Sequence, residues 1–247
     1  MIAAGGHGWG LGVFPVGAAV IAYVFCFSLV RRFARRPRPY LLVWAAALLM
    51  FALASQFMAH GVVRGWTALD FRMYWLWGAV LNVPFLLQGE VYLLARRKAW
   101  AHVMMVVLVG AAVFAAWKVS VAPIHRAAMN AALPLGKDVF GSGTLPHRMA
   151  QYYALPAYFL LLGGLVWSGW QMKGRPELRG RTAGTLGIAI GATIVAVGSG
   201  IGAAFDVVPL FSVSLAVGVA VMFAGFVRAS RPQPAPPGPA EAPPATA

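Results

Sequence analysis

Long runs of apolar residues alternate with short polar segments along almost the whole chain. Because a bilayer's hydrocarbon core offers the backbone no hydrogen-bond partner, apolar runs of about 20 residues with few charges predict membrane-spanning helices. The sequence therefore predicts an all-α, polytopic membrane protein with seven transmembrane helices. The predicted segments are Trp9 to Val30, Tyr40 to His60, Met73 to Ala95, Ala101 to Ala122, Tyr152 to Met172, Thr185 to Phe205 and Val208 to Ala229.

The composition leaves little room for a second folded domain. Of the 247 residues, 60% are hydrophobic and only 11% are charged, so residues 1–230 are predicted to form one seven-helix bundle. Residues 231–247 are rich in proline and lack large apolar side chains. We expect them to form a disordered cytoplasmic tail, because such a segment cannot bury an apolar face.

The basic residues predict the orientation of the bundle. Lys and Arg are retained on the cytoplasmic side of a membrane, and fourteen of the 20 basic residues fall on one side of the predicted segments. This places the N-terminus outside and the C-terminus inside. The fourteen are Arg31, Arg32, Arg35, Arg36, Arg38, Arg96, Arg97, Lys98, Lys173, Arg175, Arg179, Arg181, Arg228 and Arg231.

The net charge of +14 is distributed in short clusters beside the predicted helix ends. Clusters of this kind meet anionic lipid headgroups, so membrane lipid is the expected partner. Nucleic-acid binding is not expected, because tracking a phosphate backbone requires a continuous basic surface. A second membrane protein is the alternative class of partner.

Glu90 is the only acidic residue well inside a predicted helix. It lies five residues before Ala95, about 8 Å from the predicted cytoplasmic end of the segment. An ionisable group at this depth indicates a proton or cation site. The alternative, which we favour at this stage, is that Glu90 reaches toward the interface and pairs with Arg97, seven positions later on the same face.

Polar residues are more numerous near the predicted outer ends of the helices, where they could line an outward-facing cup. Lys118 and Asp206 have two interpretations. They could form a buried pair, or Lys118 could extend toward the headgroups while Asp206 caps the turn before Pro209, and we favour the second. The residues proposed for the cup are Gln56, His60, Asp70, Arg72, Lys118, Ser120, Tyr152, Tyr153 and Asp206.

Motifs for catalysis and metal binding are weak. Four histidines are predicted outside, but their spacing does not match a ligand motif, so neither a metal nor another cofactor is expected. The chain has no Gly-x-Ser-x-Gly elbow, and its single cysteine, Cys26, lies within an apolar segment that disfavours the thiolate. An enzyme is therefore the least favoured class.

Glycine and proline positions predict how the helices pack. The pairs Gly187 with Gly191 and Gly198 with Gly202 let neighbouring backbones approach closely, so the sixth segment is predicted to be interior. Pro84 should free a carbonyl and bend the third segment, and Asn82 could bond the freed group. Matching Arg-Pro loops after the first and fifth segments are compatible with a parallel repeat of three, one and three helices.

Three stretches carry a resemblance to known proteins. They are WLWGAVLNVPFLLQGEVYLLARR within Tyr74 to Arg97, GTLPHRMAQYYALPAYFLLLGGLVWSGW from Gly143 to Trp170, and MFAGFVR near the end of the seventh segment. Together they resemble an uncharacterised family of seven-helix integral membrane proteins that is frequent in high-GC bacteria. The resemblance covers most of the chain. It implies the fold and a bacterial plasma membrane, and no substrate or catalytic residue.

The layout also weakly resembles the seven-helix input domains of bacterial sensor kinases, although this sequence carries no kinase module. Two functional hypotheses follow. The first, which the sequence favours, is a noncatalytic sensor, partner-binding protein or accessory subunit with an outward-facing polar cup. The second is a small proton-linked carrier that uses Glu90 as its coupling acid.

Overall fold

The computed structural model describes residues 7–173, 179–205 and 207–230, and these residues form helices and turns without a strand. The predicted tail, residues 231–247, lies outside the described residues. The α-helices are α1 (His7–Arg35), α2 (Pro39–Arg64), α3 (Ala68–Tyr74), α4 (Asn82–Leu94), α5 (Lys98–Val121), α6 (Gly136–Val139), α7 (Leu145–Met149), α8 (Leu155–Gln171), α9 (Arg179–Ala204) and α10 (Val208–Ala229). Two π-helical segments (Trp75–Leu81 and Ala150–Ala154) and one 3₁₀ helix (Arg126–Asn130) complete the described helices.

The described chain is all-α as predicted, and six of its helical stretches are long and apolar enough to cross a membrane, in agreement with a multi-pass membrane protein. They are Gly12–Arg35, Pro39–Arg64, Lys98–Val121, Leu145–Gln171, Thr182–Gly202 and Val208–Ala229. The third predicted segment corresponds to the continuous helical run 68–94, whose polar residues lower its hydropathy. At 1.5 Å per residue this run is about 40 Å long.

Six of the described helices pack in a ring. Helix α1 contacts α2 and α10, α2 contacts α4, α4 contacts α8, and α9 lies between α8 and α10. Helix α5 lies beside this ring, against α4 and α7, and buries only Ala101, Ala115 and Val119. In the described chain, α2 and α10 therefore supply much of the core, whereas most of α5 faces outward.

A seam of glycines joins α9 to α10. A Cβ atom on Gly191 or Gly198 would overlap atoms of α10, so the two backbones approach as closely as glycine allows. The predicted role of these glycines in packing is confirmed. The prediction that this helix is interior is wrong, because Ile190, Val197 and Ile201 on its other face are exposed.

The run 68–94 contains a π-helical segment where the sequence predicted a proline bend. The backbone N–H of Asn82 donates to the Trp77 carbonyl oxygen, five residues earlier, as in a π-helix. Asn82 itself lies two residues before Pro84. The expected bond from Asn82 to a freed group of its own helix is not the one that forms. Its side-chain Nδ2 instead donates to the Ala47 carbonyl oxygen of α2 at 2.8 Å, tying the two helices together.

Cationic side chains cover the carbonyl ends of two neighbouring helices. The Lys98 ammonium donates to the carbonyl oxygens of Tyr92 at 2.6 Å and Ala95 at 3.0 Å, at the end of α4. At the opposite end of the bundle, the Arg72 guanidinium donates to the carbonyl oxygens of Ser120 and Ala122, at the end of α5. Each cation satisfies carbonyls that have no partner within their own helix and lies at the negative end of the helix dipole.

Candidate functional site

The residues proposed for the outer cup make several separate contacts. Gln56, on the exposed face of α2, accepts a hydrogen bond from the Tyr23 hydroxyl of α1 at 2.7 Å. The Lys118 ammonium lies over the ring of Trp117 at 4.3 Å, on its own helix. Asp206 lies outside the described residues, so the two interpretations of Lys118 with Asp206 stay predictions.

Two of the proposed residues do come together. The His60 Nδ1 atom of α2 lies 3.1 Å from the Asp70 Oδ2 atom at the start of α3. Asp70 is only 5% exposed, and it also accepts hydrogen bonds from the hydroxyl and the backbone N–H of Thr67 at 2.6 and 3.2 Å. The Asp70 N–H donates in return to the Thr67 hydroxyl at 3.1 Å, which completes a capping box. This network fixes the start of α3.

Arg72 also has a structural role, because its guanidinium donates to a carbonyl oxygen at the end of α5. A groove does exist at this end of the molecule, but none of the proposed cup residues lines it. Its lining residues are Ala127, Ala128, Ala131, Leu133, Leu135 and Asp138. The contacts of Gln56, Asp70 and Arg72 are therefore helix caps and helix-to-helix contacts.

Aromatic residues hold the connection between α5 and α8 against the bundle. The Trp66 indole donates to the Ala132 carbonyl oxygen at 3.2 Å, and the Trp75 indole donates to that of Pro146 at 3.0 Å. Phe71 and Phe140 pack between them with ring centroids 5.4 Å apart. The sequence signal was available in Trp66 and Trp75, since a buried indole N–H requires an acceptor.

Glu90 occupies a different environment. Its side chain is 3% exposed, and its Oε2 atom is buried without a hydrogen-bond partner among the described residues. Arg97 is exposed at the start of α5, and the described chain contains no ion pair between the two. The favoured interpretation of Glu90 as an interfacial partner of Arg97 is therefore wrong. The geometric reason is that the side chain turns into the bundle rather than along the helix toward the headgroups.

The Glu90 carboxyl points at a glycine of the neighbouring helix. A Cβ atom on Gly164 of α8 would lie 2.6 Å from Oε1 and 2.9 Å from Oε2, so any larger residue there would force the carboxyl to move. Leu161 and Leu165, which flank Gly164 on α8, are buried in an apolar cluster that Leu86 and Leu87 of α4 also contact. We call this site, formed by Glu90, Gly164, Leu161 and Leu165, the Glu90 niche.

Residues just before Glu90 in the sequence fix the backbone of α4. The buried Gln88 amide donates to the Ala101 carbonyl oxygen of α5 at 2.7 Å. Gly89 lies directly against the Trp44 indole of α2, which donates to the Leu86 carbonyl oxygen at 3.0 Å. Helix α4 is thus held by α2 and α5 while Glu90 projects toward α8. Sequence reasoning missed Trp44 and Gly164, because pairing them with α4 requires the register of three helices.

The surroundings of Glu90 are unusual for a buried acid. In the described part of the chain, the one ion pair joins His60 and Asp70, and no three His, Cys, Asp or Glu side chains gather closely enough to hold a metal ion. The Glu90 carboxyl therefore has no fixed countercharge among the described residues, and it lies against Gly164 on a helix that also carries the buried Leu161 and Leu165. A buried group in this position can exchange a proton, or accept a cation, without first breaking an ion pair.

Comparisons of the chain with protein-family models, with curated proteins and with solved structures find no match.

Proposed function

We propose that this protein is a small proton-linked carrier in which the Glu90 carboxyl takes up and releases the coupling proton. The observation that carries the proposal is the burial of Glu90 with an Oε2 atom that has no hydrogen-bond partner among the described residues. Ionisable residues inside membrane bundles are costly and commonly mark proton or ion pathways.

The physical argument concerns what can neutralise this carboxyl. An isolated ionised carboxylate among leucines costs several kcal/mol, so the site is stable only with a proton or another cation in place. Alternation between these two occupants is the elementary step of proton-coupled transport. The tight contact with Gly164 makes the packing of α4 on α8 sensitive to which occupant is present.

The proposal includes a topology. The helical run 68–94 also crosses the membrane and brings the number of spans to seven. The N-terminus lies outside, the C-terminus lies inside, and the bundle resides in a bacterial plasma membrane. The fourteen-to-six distribution of basic residues supports this orientation. Reporter fusions after Val63, Lys98 and Lys137 should report outside, inside and outside, respectively. A cytoplasmic signal at Lys137 would overturn it.

A direct test uses the full chain in proteoliposomes that contain a pH-sensitive dye. A proton gradient is imposed, and separate samples receive cationic, anionic or neutral solutes. One solute class should collapse the gradient through the wild type but not through Glu90→Gln, which keeps the shape and removes the titrating group. Asp138→Asn, a loss of an exposed acid far from the niche, is the matched control and should behave like the wild type. Equal flux through wild type and Glu90→Gln would refute the carrier.

A second candidate function is a noncatalytic sensor or accessory subunit. The observation in its favour is the outer face of α5, where Val106, Val107 and Val113 are among the most exposed large hydrophobic side chains of the described residues. This face suits lipid or a second membrane protein. If α5 binds a partner, Val106→Trp should release that partner from the purified complex while leaving the Glu90-dependent proton flux intact. Loss of both the partner and the proton flux would indicate that partner binding and transport form one function.

A further inference from the structure

We propose that the substrate exchanged at the Glu90 niche is a lipophilic monovalent organic cation, which enters between α4 and α8 and displaces the proton of the carboxyl. The inference rests on the proposed function and names its substrate class. It follows from the charge of the niche, from the chemistry of its walls and from the space around Gly164.

Charge selects a cation. Glu90 is the only acidic side chain buried in this part of the described bundle, and no Lys, Arg or His lies within ion-pair distance of it there. An anion would meet a like charge in a medium of low dielectric constant. A neutral solute would not neutralise the carboxylate, so the proton would stay bound. A monovalent cation restores neutrality one for one when the proton departs.

The walls favour an organic cation over a metal ion. Hard cations such as Na⁺, Mg²⁺ and Ca²⁺ require several oxygen ligands, and the described residues bring no cluster of acidic or imidazole side chains to this site. Leu161 and Leu165 of α8, with Leu86 of α4, instead present hydrocarbon on the face that carries the carboxyl. A cation whose charge is shielded by apolar groups loses little hydration on entering such a site.

The path of entry is lateral. Helix α8 packs against α4 and α9 along one side, while Phe159, Leu160 and Val166 on its other side are exposed. Gly163 has open space around it, and Gly164 contacts the carboxyl directly. Gly164 offers no side chain to interlock with α4 at this level, so a modest outward displacement of α8 would open the niche toward the lipid.

The exchange balances in protons and charge. The neutral Glu90 carboxylic acid gives its proton to water as the organic cation enters, and the resulting carboxylate forms an ion pair with the bound cation. No covalent bond to carbon changes, and no redox partner is required. The reverse step takes a proton from the side to which the cation is released.

The test uses the purified full chain in detergent and the probe tetraphenylphosphonium, with protons counted by a pH indicator in weak buffer. The wild type should release one proton per bound cation, and Glu90→Gln should release none. Gly164→Ala places a methyl group against the carboxyl and should weaken the apparent affinity about tenfold. Gly163→Ala adds the same methyl group in open space and should match the wild type.

The outcomes separate this inference from the proposed function. Infrared spectroscopy of the Glu90 carboxyl reports proton exchange without any substrate. If the carboxyl exchanges protons but tetraphenylphosphonium releases none, the substrate class is wrong and the carrier stands. If the carboxyl does not exchange at all, both fail. Potassium chloride should release no protons, and release equal to that caused by tetraphenylphosphonium would overturn the requirement for a lipophilic cation.

Discussion

Asp70 and Glu90 are two carboxyls of nearly equal burial, 5% and 3% exposed, on the same helical run. Asp70 receives three hydrogen-bond or ion-pair contacts at its Oδ2 atom, from Thr67 and His60. The Oε2 atom of Glu90 receives none from the described residues. Burial alone therefore does not distinguish a structural acid from a functional one. The difference lies in whether the fold supplies partners for the charged form.

Stability should show the contrast most strongly. Asp70→Ala removes the capping box of α3 and the contact with His60, so we expect a loss of about 2 to 3 kcal/mol in the free energy of unfolding. Glu90→Gln removes no partner and should change it by less than about 1 kcal/mol. Thermal unfolding of both variants in the same detergent measures the difference. Equal losses would mean that Glu90 has a structural partner and would remove the basis of the comparison.

The contact between Glu90 and Gly164 gives an effect of intermediate size. Gly164→Ala should destabilise the bundle by about 1 to 2 kcal/mol through overpacking against the carboxyl. Gly163→Ala, with open space around its Cβ position, is the matched control and should have little effect. In a Glu90→Ala background the cost of Gly164→Ala should disappear, as a double-mutant cycle would show. If Gly164→Ala still destabilises the bundle in that background, the steric clash is not with Glu90.

The smallest effects concern the partners of Asp70. Thr67→Ala should cost about 1 kcal/mol, because it removes the helix cap. His60→Gln should cost under about 0.5 kcal/mol, since the His60 side chain is 44% exposed and water competes with its contact to Asp70. Chemical denaturation of the two variants measures this order. A larger loss for His60→Gln would make that contact, rather than the cap, the main support of Asp70.

The multi-pass helical fold was predictable because apolar length and the absence of charge are local properties of the sequence. The glycine contacts of α9 were predictable for the same reason, since small residues four apart mark one helix face. Its position in the bundle was not, because the exposure of Ile190 depends on which helices occupy the other side. The π-helical segment before Pro84 is also a tertiary outcome, stabilised where Asn82 bonds α2.

The candidate site was predictable in part. Glu90 stood out as the one deep acid, but its rotamer decides between Arg97 and the bundle interior, and the sequence cannot fix that choice. Gly164 leaves space for the side chain to turn into the bundle, and its position opposite Glu90 exists only in the packed structure. The cup residues were chosen as polar groups near the predicted helix ends. Helix capping accounts for Asp70 and Arg72 without a ligand.

The most direct test of the central claim is an infrared titration of the Glu90 carboxyl in proteoliposomes. The difference between wild type and Glu90→Gln isolates the carbonyl band of the protonated acid, and Asp138→Asn controls for loss of an unrelated acid. We predict a single Glu90-dependent band that shifts on exchange into D₂O and disappears and returns reversibly as the pH is raised and lowered. A band that neither exchanges nor titrates would show a permanently sealed acid and would contradict the proton-linked function.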